Sequence, residues 1–587
     1  GSNVYQDNIK NFNFSFFQSR LSIIDPNPRS NQPLVDQSGV LIFNGMIYNF
    51  KEIKSHLKKK KINFKTYSDT EVLLKFLNLY GEKKLNMLDG MWSFAYYNFK
   101  NKKFIISRDR FGEKPFYFYK TKKSFYFGSN FDYILDICKK PFKVDLKKIE
   151  NYLKFGFRSL YNTDDNSSLF QNIYSLRPGT FITIDKNFNF SEKNYWSPKK
   201  IKIKDNLNYK KEVKKLKKSY EDIIRQRNIS DFPVACLLSG GVDSSSIVSL
   251  TAKTLKKKLH CFSIKTNDKD YDESYLIRKT INKYKCKHTY VDSLKDNDRN
   301  LSIIKDIIYK TSNLVPTTSW LMYSYLIKKI KKLGYKVVLS GTGGDEMFAG
   351  YYSHHLHFLK SILSNKKLFK QRYNQWQKHV VPFIRSQNLK DFNKYLKDVN
   401  QIDPSKTEYM HMYKYFNFFK KEKNIKTKFF KDFLKNELYK ELIYSSLPPQ
   451  ISATDNISMY HGLEVRCPIL SNKLFELSFS YPSKFLINKG YNKAIFRDSL
   501  RGTVDNEILN KREKVGFFIR IDKFFNFKDK KIKKFLFSNK YINSIIDIKN
   551  VRLMLSKKNK NNQECHLLFG IINSIFFLNK YAKNQLK

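Results

Sequence analysis

The chain has 587 residues, with 110 lysines and arginines against 53 aspartates and glutamates, a formal charge of +57. That length exceeds one core, and 41% hydrophobic with 16% aromatic residues excludes disorder throughout. The lysines are spread along the whole chain among asparagines, isoleucines and phenylalanines, which disfavours dedicated nucleic-acid binding and leaves salt-sensitive attraction to polyanions. Six cysteines with no C-x-x-C pair suit reduced thiols and a cytoplasmic setting. The longest apolar run, 567–578, is too short for a bilayer and is broken by Asn573, so no membrane association is expected.

In chain order, alternating apolar runs predict strands at 40–43, 92–97, 104–107, 124–127 and 180–184, with a helix over 70–79 between them. A polar, lysine-rich stretch at 197–208 reads as a linker. Beyond it strands are predicted at 234–238, 259–264, 288–291 and 337–340, alternating with helical spacing. That order predicts a parallel, doubly wound α/β sheet. From 354 to 447 the pattern is helical, aromatic and lysine-rich, with no assignable motif.

The most informative stretch is Leu237-Leu238-Ser239-Gly240-Gly241-Val242-Asp243-Ser244-Ser245, between a buried strand at 232–238 and helical spacing over 245–255. Strand, glycine turn and helix start together point backbone N–H groups at an anion. Ser239, Ser244 and Ser245 add hydroxyls, and Asp243 can hold a metal. The lysine and spacing of a Walker loop are missing. A second strand and glycine turn, Val338-Leu339-Ser340-Gly341-Thr342-Gly343-Gly344-Asp345-Glu346, ends in two carboxylates. Loops at the carboxyl ends of one α/β sheet share a crevice. Asp243 and Asp345 there are expected to bind Mg²⁺ on the phosphates of ATP.

The first loop resembles the pyrophosphate loop of ATP pyrophosphatases. Further motifs are Asp231-Phe232-Pro233-Val234, Tyr271-Asp272-Glu273-Ser274, Asp455-Asn456-Ile457-Ser458-Met459, Gly462-Leu463-Glu464-Val465-Arg466-Cys467-Pro468, Asn492-Lys493-Ala494-Ile495-Phe496-Arg497 and Lys514-Val515-Gly516-Phe517. With them, nearly the whole chain resembles the glutamine-dependent asparagine synthetases. The resemblance implies that a carboxylate, aspartate in the family, attacks the α-phosphorus of ATP, and that ammonia then displaces AMP. It places Leu238, Ser239, Gly240, Gly241, Asp243, Ser244, Ser245, Ile264, Ser340 and Gly341 at the nucleotide, and Lys493 as a catalytic charge on the phosphates. Thr342 stands where many members carry glutamate, so the acceptor stays open between aspartate and another carboxylate such as a sugar acid. A basic binding protein retaining the fold is the non-enzyme alternative.

The first part resembles the family's glutaminase, an N-terminal-nucleophile αββα sandwich, through Arg20-Leu21-Ser22-Ile23-Ile24-Asp25, Asn44-Gly45-Met46-Ile47-Tyr48-Asn49, Tyr67-Ser68-Asp69 and Arg108-Asp109-Arg110-Phe111-Gly112. The resemblance implies that Arg20 meets the glutamine α-carboxylate, Asn44 and Gly45 form the oxyanion hole, and Asp69 holds the ammonium. Met46 stands where a glutamate usually assists Asp69. The family's N-terminal cysteine nucleophile is not in this sequence, whose first cysteine is Cys138; as written, the chain is expected to lack glutaminase activity and to be a trimmed or partial form. The expected organisation is a glutaminase-like domain at 1–196, a linker at 197–208 and a synthetase domain at 209–587. A homodimer is compatible with the resemblance.

Overall fold

The computed structural model describes residues 2–586 except 10, 11, 158–165, 199, 200, 257, 266–270, 293, 294, 402, 403, 419–427, 517 and 518. The chain opens with a hairpin, β1 (Ser2–Ile9) and β2 (Phe12–Ser19). Next come β3 (Leu34–Val35), β4 (Gly39–Ile47), β5 (Gly90–Asn98) and β6 (Lys103–Arg108). β7 (Tyr117–Lys120), β8 (Phe125–Gly128), β9 (Ile173–Ser175), β10 (Thr180–Ile184) and β11 (Phe190–Asn194) complete this part. They form an antiparallel six-stranded sheet ordered β11-β10-β6-β5-β4-β3 and a three-stranded sheet ordered β8-β7-β9.

Alternation decides the layers. Along β4 and β5, Leu41, Phe43, Phe94 and Tyr96 face the helices Phe50–Lys58 and Asp69–Tyr80. Their neighbours Val40, Ile42, Ala95 and Tyr97 face the second layer, meeting Phe16 of the hairpin and Phe118 of β7. Helix Phe131–Cys138 closes the far side, with the Phe131 ring tilted against Tyr117, centroids 3.9 Å apart. The αββα order follows. The helices Phe131–Cys138 and Leu146–Phe155 also share a buried core with the C-terminal helix Asn562–Tyr581. Within 197–208, the linker by sequence, Lys204 N–H donates to Ser480 O (2.9 Å).

The second sheet is parallel throughout: β12 (Val234–Leu237), β13 (His260–Ile264), β14 (Lys287–Val291), β15 (Val337–Leu339) and β16 (Glu464–Arg466). Its order is β14-β13-β12-β15-β16. The chain runs outward from β12 to β14 and returns to pair β15 on the other side of β12. The β12/β15 seam is therefore a topological switch point, where ligands bind beyond the strand ends. Strand β16, polar and three residues long, carries no strand signal in the sequence. The segment 354–447 is mostly helical where described, including Tyr352–Ser361, Lys366–His379, Phe392–Gln401 and Phe433–Lys440. No helix among the described residues is long and apolar enough to cross a membrane.

Candidate functional site

The two glycine loops meet at the switch point. Gly240 takes φ +86°, and a Cβ there would lie 2.9 Å from Glu273 Cβ, so only glycine fits. Gly241 then starts helix Val242–Leu255, whose first-turn N–H groups have no intrahelical partner and carry the positive helix end. Ser239 N–H donates to Ser244 Oγ (3.0 Å), and the two hydroxyls lie 3.0 Å apart. The second loop packs directly on this turn: a Cβ on Gly341 would stand 3.0 Å from Asp243 Cβ and 3.1 Å from Ser244 N, and one on Gly344 would stand 2.6 Å from Asp243 Cγ. Side chains at Gly341 and Gly344 would pry the loops apart.

Lys493 joins the loops. It sits in the left-handed region, φ +52°, before helix Ala494–Ser499, a conformation costing about 1 kcal/mol for a non-glycine residue. Its ammonium lies 2.5 Å from Asp243 Oδ2 and 2.7 Å from Asp345 Oδ1. Lys514 reaches Asp345 Oδ2 at 2.8 Å. Burial alone would raise the Asp345 pKa, but these two ammonium groups hold it well below the usual carboxylate range. Burial would lower Lys514, yet Asp345 and Asp243 carry it above its usual value. Around them Ser239, Gly241, Ser244, Lys511 and Arg497 border a cavity of about 80 Å³, room for phosphoryl groups but less than the roughly 300 Å³ typical of whole-ligand sites.

Of the residues predicted at the nucleotide, Ser239, Gly240, Gly241, Asp243, Ser244 and Lys493 border this cradle, while Leu238, Ser245, Ile264, Ser340 and Gly341 do not. Leu238 is sheet core, its N–H donating to Phe262 O (2.9 Å). Ser245 is fully buried behind the helix start, because successive helical side chains point about 100° apart. Ser340 spends its hydroxyl on Thr342 Oγ1 (2.9 Å) and its N–H on Arg466 O (2.9 Å). Ile264 ends β13, just before 266–270, which lie outside the described residues, as does Phe517. Among the described residues no three His, Cys, Asp or Glu side chains gather as a metal site. The chemistry of Mg²⁺ still fits: Asp243 Oδ1 is buried without a hydrogen-bond partner, and this ion takes one or two carboxylates and completes its shell with phosphate oxygens and water.

A second cavity, about 340 Å³, lies under β4. All five residues predicted for glutamine line it: Arg20, Asn44, Gly45, Met46 and Asp69. Gly45 packs against β5, where a Cβ would fall 2.0 Å from Met91 O. Arg20 Nη2 donates to Ile24 O (2.6 Å) and Asp25 O (3.0 Å), while its buried Nη1 has no hydrogen-bond partner. Asp69 Oδ2 accepts the Ile47 N–H (3.0 Å), yet burial pushes its pKa up to about 6. The opposite wall is built by Lys114, Asp455, Glu464 and Arg466. Lys114 pairs with Asp455 at 2.8 Å. Arg466, fully buried, donates to Glu464 Oε1 (2.8 Å) and to the carbonyls of Arg227 (2.9 Å) and Ile229 (2.6 Å). None of the six cysteines lines this cavity.

Sequence reasoning passed over Lys514 and Arg466 as individual residues, although both stood inside quoted motifs. The signal was there: a lysine three residues after Lys511, and a single arginine in an apolar run.

A layered antiparallel part with a cavity under β4, followed by a parallel sheet whose glycine loops meet at its switch point, gives the chain the two-part architecture of a glutamine amidotransferase. The glutamine amidotransferase domain family matches residues 2–196, and the asparagine synthase family matches residues 215–569. The chain is 32% identical to the putative asparagine synthetase [glutamine-hydrolyzing] 2 of Methanocaldococcus jannaschii over 376 residues, 60% of this chain and 69% of that one. It is 26% identical to asparagine synthetase [glutamine-hydrolyzing] 1 of Bacillus subtilis over 528 residues, 86% of this chain and 79% of that one. The chain belongs to the asparagine synthase family.

Proposed function

We propose that the protein joins nitrogen from glutamine, or free ammonia, to the side-chain carboxylate of aspartate at the expense of ATP. A β-carboxylate oxygen attacks the α-phosphorus, the bond to the β-phosphoryl oxygen breaks, and pyrophosphate leaves β-aspartyl-AMP. Ammonia attacks the acyl carbon, asparagine forms, and AMP and a proton depart.

The observation that carries this reading is the Lys493 ammonium held between Asp243 and Asp345 at adjoining strand ends. Charge grows on the departing pyrophosphate, and preorganised donors aimed at that charge lower the barrier. The N–H groups at Gly241 and the helix start, the Ser239 and Ser244 hydroxyls, and the Lys493 and Lys514 ammonium groups are such donors. Mg²⁺ held by Asp243 and Asp345 would neutralise phosphate charge when bound. Arg20 suits a carboxylate, Asp69 an ammonium, and Asn44 with Gly45 an oxyanion at the amide carbon.

The test is product analysis with ATP, Mg²⁺, aspartate and ammonium chloride. Equal amounts of AMP, pyrophosphate and asparagine are expected. ADP and phosphate as products, or AMP release indifferent to aspartate, contradict the reading.

A further inference from the structure

Arg20 and Asp69, read above as holding the glutamine α-carboxylate and α-ammonium, come from separate segments, and one buried residue stands between them. Asp25 is 6% exposed and is not among the residues lining the cavity. Its carbonyl accepts Arg20 Nη2 (3.0 Å). Its Oδ2 accepts the N–H of Tyr67 (2.9 Å), two residues before Asp69, and the Ser30 hydroxyl (2.9 Å), with Arg29 at 3.4 Å. Burial would raise the Asp25 pKa, but the Tyr67 N–H, the Ser30 hydroxyl and Arg29 hold it below the usual carboxylate range. The backbone is held as closely. Asp25 has φ +47°, in the left-handed region that disfavours every residue except glycine. Its N–H donates to Asp231 Oδ2 (2.7 Å), and the Asp231 N–H donates back to Ile23 O (3.1 Å). Asp231 leads into β12, so the loop is fastened to the second sheet.

We propose that Asp25 is a positioning residue: by tying the Arg20 guanidinium and the Tyr67–Asp69 turn to one point, it sets the spacing of the carboxylate and ammonium holders and so selects an α-amino acid. This rests on the glutamine reading of the cavity. In an α-amino acid the two charged groups are borne by a single carbon, so their separation is fixed, and a holder misplaced by about an ångström loses its contact. Arg20 and Asp69 belong to segments that no local chain geometry holds in register. The Asp25 carbonyl fixes one and the Asp25 carboxylate the other, and a non-glycine residue kept at positive φ by bonds on both sides is what such a fixed point requires.

The test is binding to the full chain, without ATP and at about pH 8, where Asp69 is ionised. Calorimetry compares L-glutamine with glutaramate, which has the same amide and carboxylate but no α-ammonium. Wild type is expected to bind L-glutamine about tenfold more tightly, the worth of one hydrogen bond to a charged group. Asp25→Gly keeps the left-handed backbone and the carbonyl that receives Arg20 but removes the ties to Tyr67 and Ser30. It should bring L-glutamine down to glutaramate while glutaramate stays within about twofold of wild type. Asp25→Asn, which retains one acceptor oxygen, should fall between. L-Glutamine still about tenfold ahead in Asp25→Gly overturns the proposal. So do equal losses of both ligands in Asp25→Gly and Asp25→Asn, the mark of a residue that only supports the fold. Wild type that binds neither ligand, or binds them equally, overturns the glutamine reading and this proposal with it.

Discussion

Asp243 and Asp345, on different loops, share the ammonium of Lys493. The three groups lock the ends of β12 and β15 together, at the site proposed above for the polyphosphate. A phosphate there would offer the lysines a further anionic partner beside Asp243 and Asp345.

Gly240 is the first place to test this. Its φ of +86° and the 2.9 Å approach of Glu273 Cβ leave no room for a methyl group. Gly240→Ala should cut ATP–pyrophosphate exchange by more than about tenfold, while strain of about 1–2 kcal/mol leaves the chain folded by circular dichroism.

Asp69 predicts a pH dependence for glutamine. Burial raises its pKa to about 6, and an ammonium needs the ionised carboxylate. Glutamine affinity should rise about tenfold between pH 5 and pH 7, as measured by calorimetry, and Asp69→Asn should flatten the profile. The stability sign is opposite. Between 3.8 and about 6 the folded state binds the extra proton, so Asp69's contribution to stability falls as pH rises through that window.

Lys435 is fully buried, donates to Ser478 O (2.5 Å), and has its pKa lowered by burial to about 7. Between pH 7 and the unfolded value of 10.5 the unfolded chain holds the extra proton. Stability attributable to this residue therefore rises with pH by about 1.4 kcal/mol per unit. Urea titrations should show that slope in the difference between wild type and Lys435→Met, and no difference in slope above about pH 11.

Arg466 supports both sites. Its side chain holds the Arg227 and Ile229 carbonyls and Glu464, and its own carbonyl accepts the Ser340 N–H. Arg466→Ala leaves a buried carboxylate and two carbonyls without it, so a loss of about 3–5 kcal/mol is expected in denaturant unfolding.

The strand–turn–helix of the first loop was legible because its apolar run, paired glycines and helical spacing are all local. So was the set Arg20, Asn44, Gly45, Met46 and Asp69, which the fold gathers into one cavity. Strand β16 was not, because Glu464–Arg466 is held by pairing with β15 rather than by any propensity of its own. Ser245 and Ser340 rest on position in a motif alone; in the fold Ser245 is buried in the first turn of its helix, and the Ser340 hydroxyl lies 2.9 Å from Thr342 Oγ1. Lys514 went unnoticed for the same reason that Lys493 needed its motif: in a chain this rich in lysine, only its place beside Asp345 at the glycine loops, 2.8 Å away, marks it out.

The central claim is that two lysines and the Ser239–Gly241 turn grip one triphosphate so that its inner bond breaks. ATP–pyrophosphate exchange with aspartate, in wild type and in Lys493→Met and Lys514→Met, tests it most directly. Aspartate-dependent exchange in wild type, lost in both variants while each remains folded, is the result predicted. Exchange at wild-type rate in both variants contradicts it.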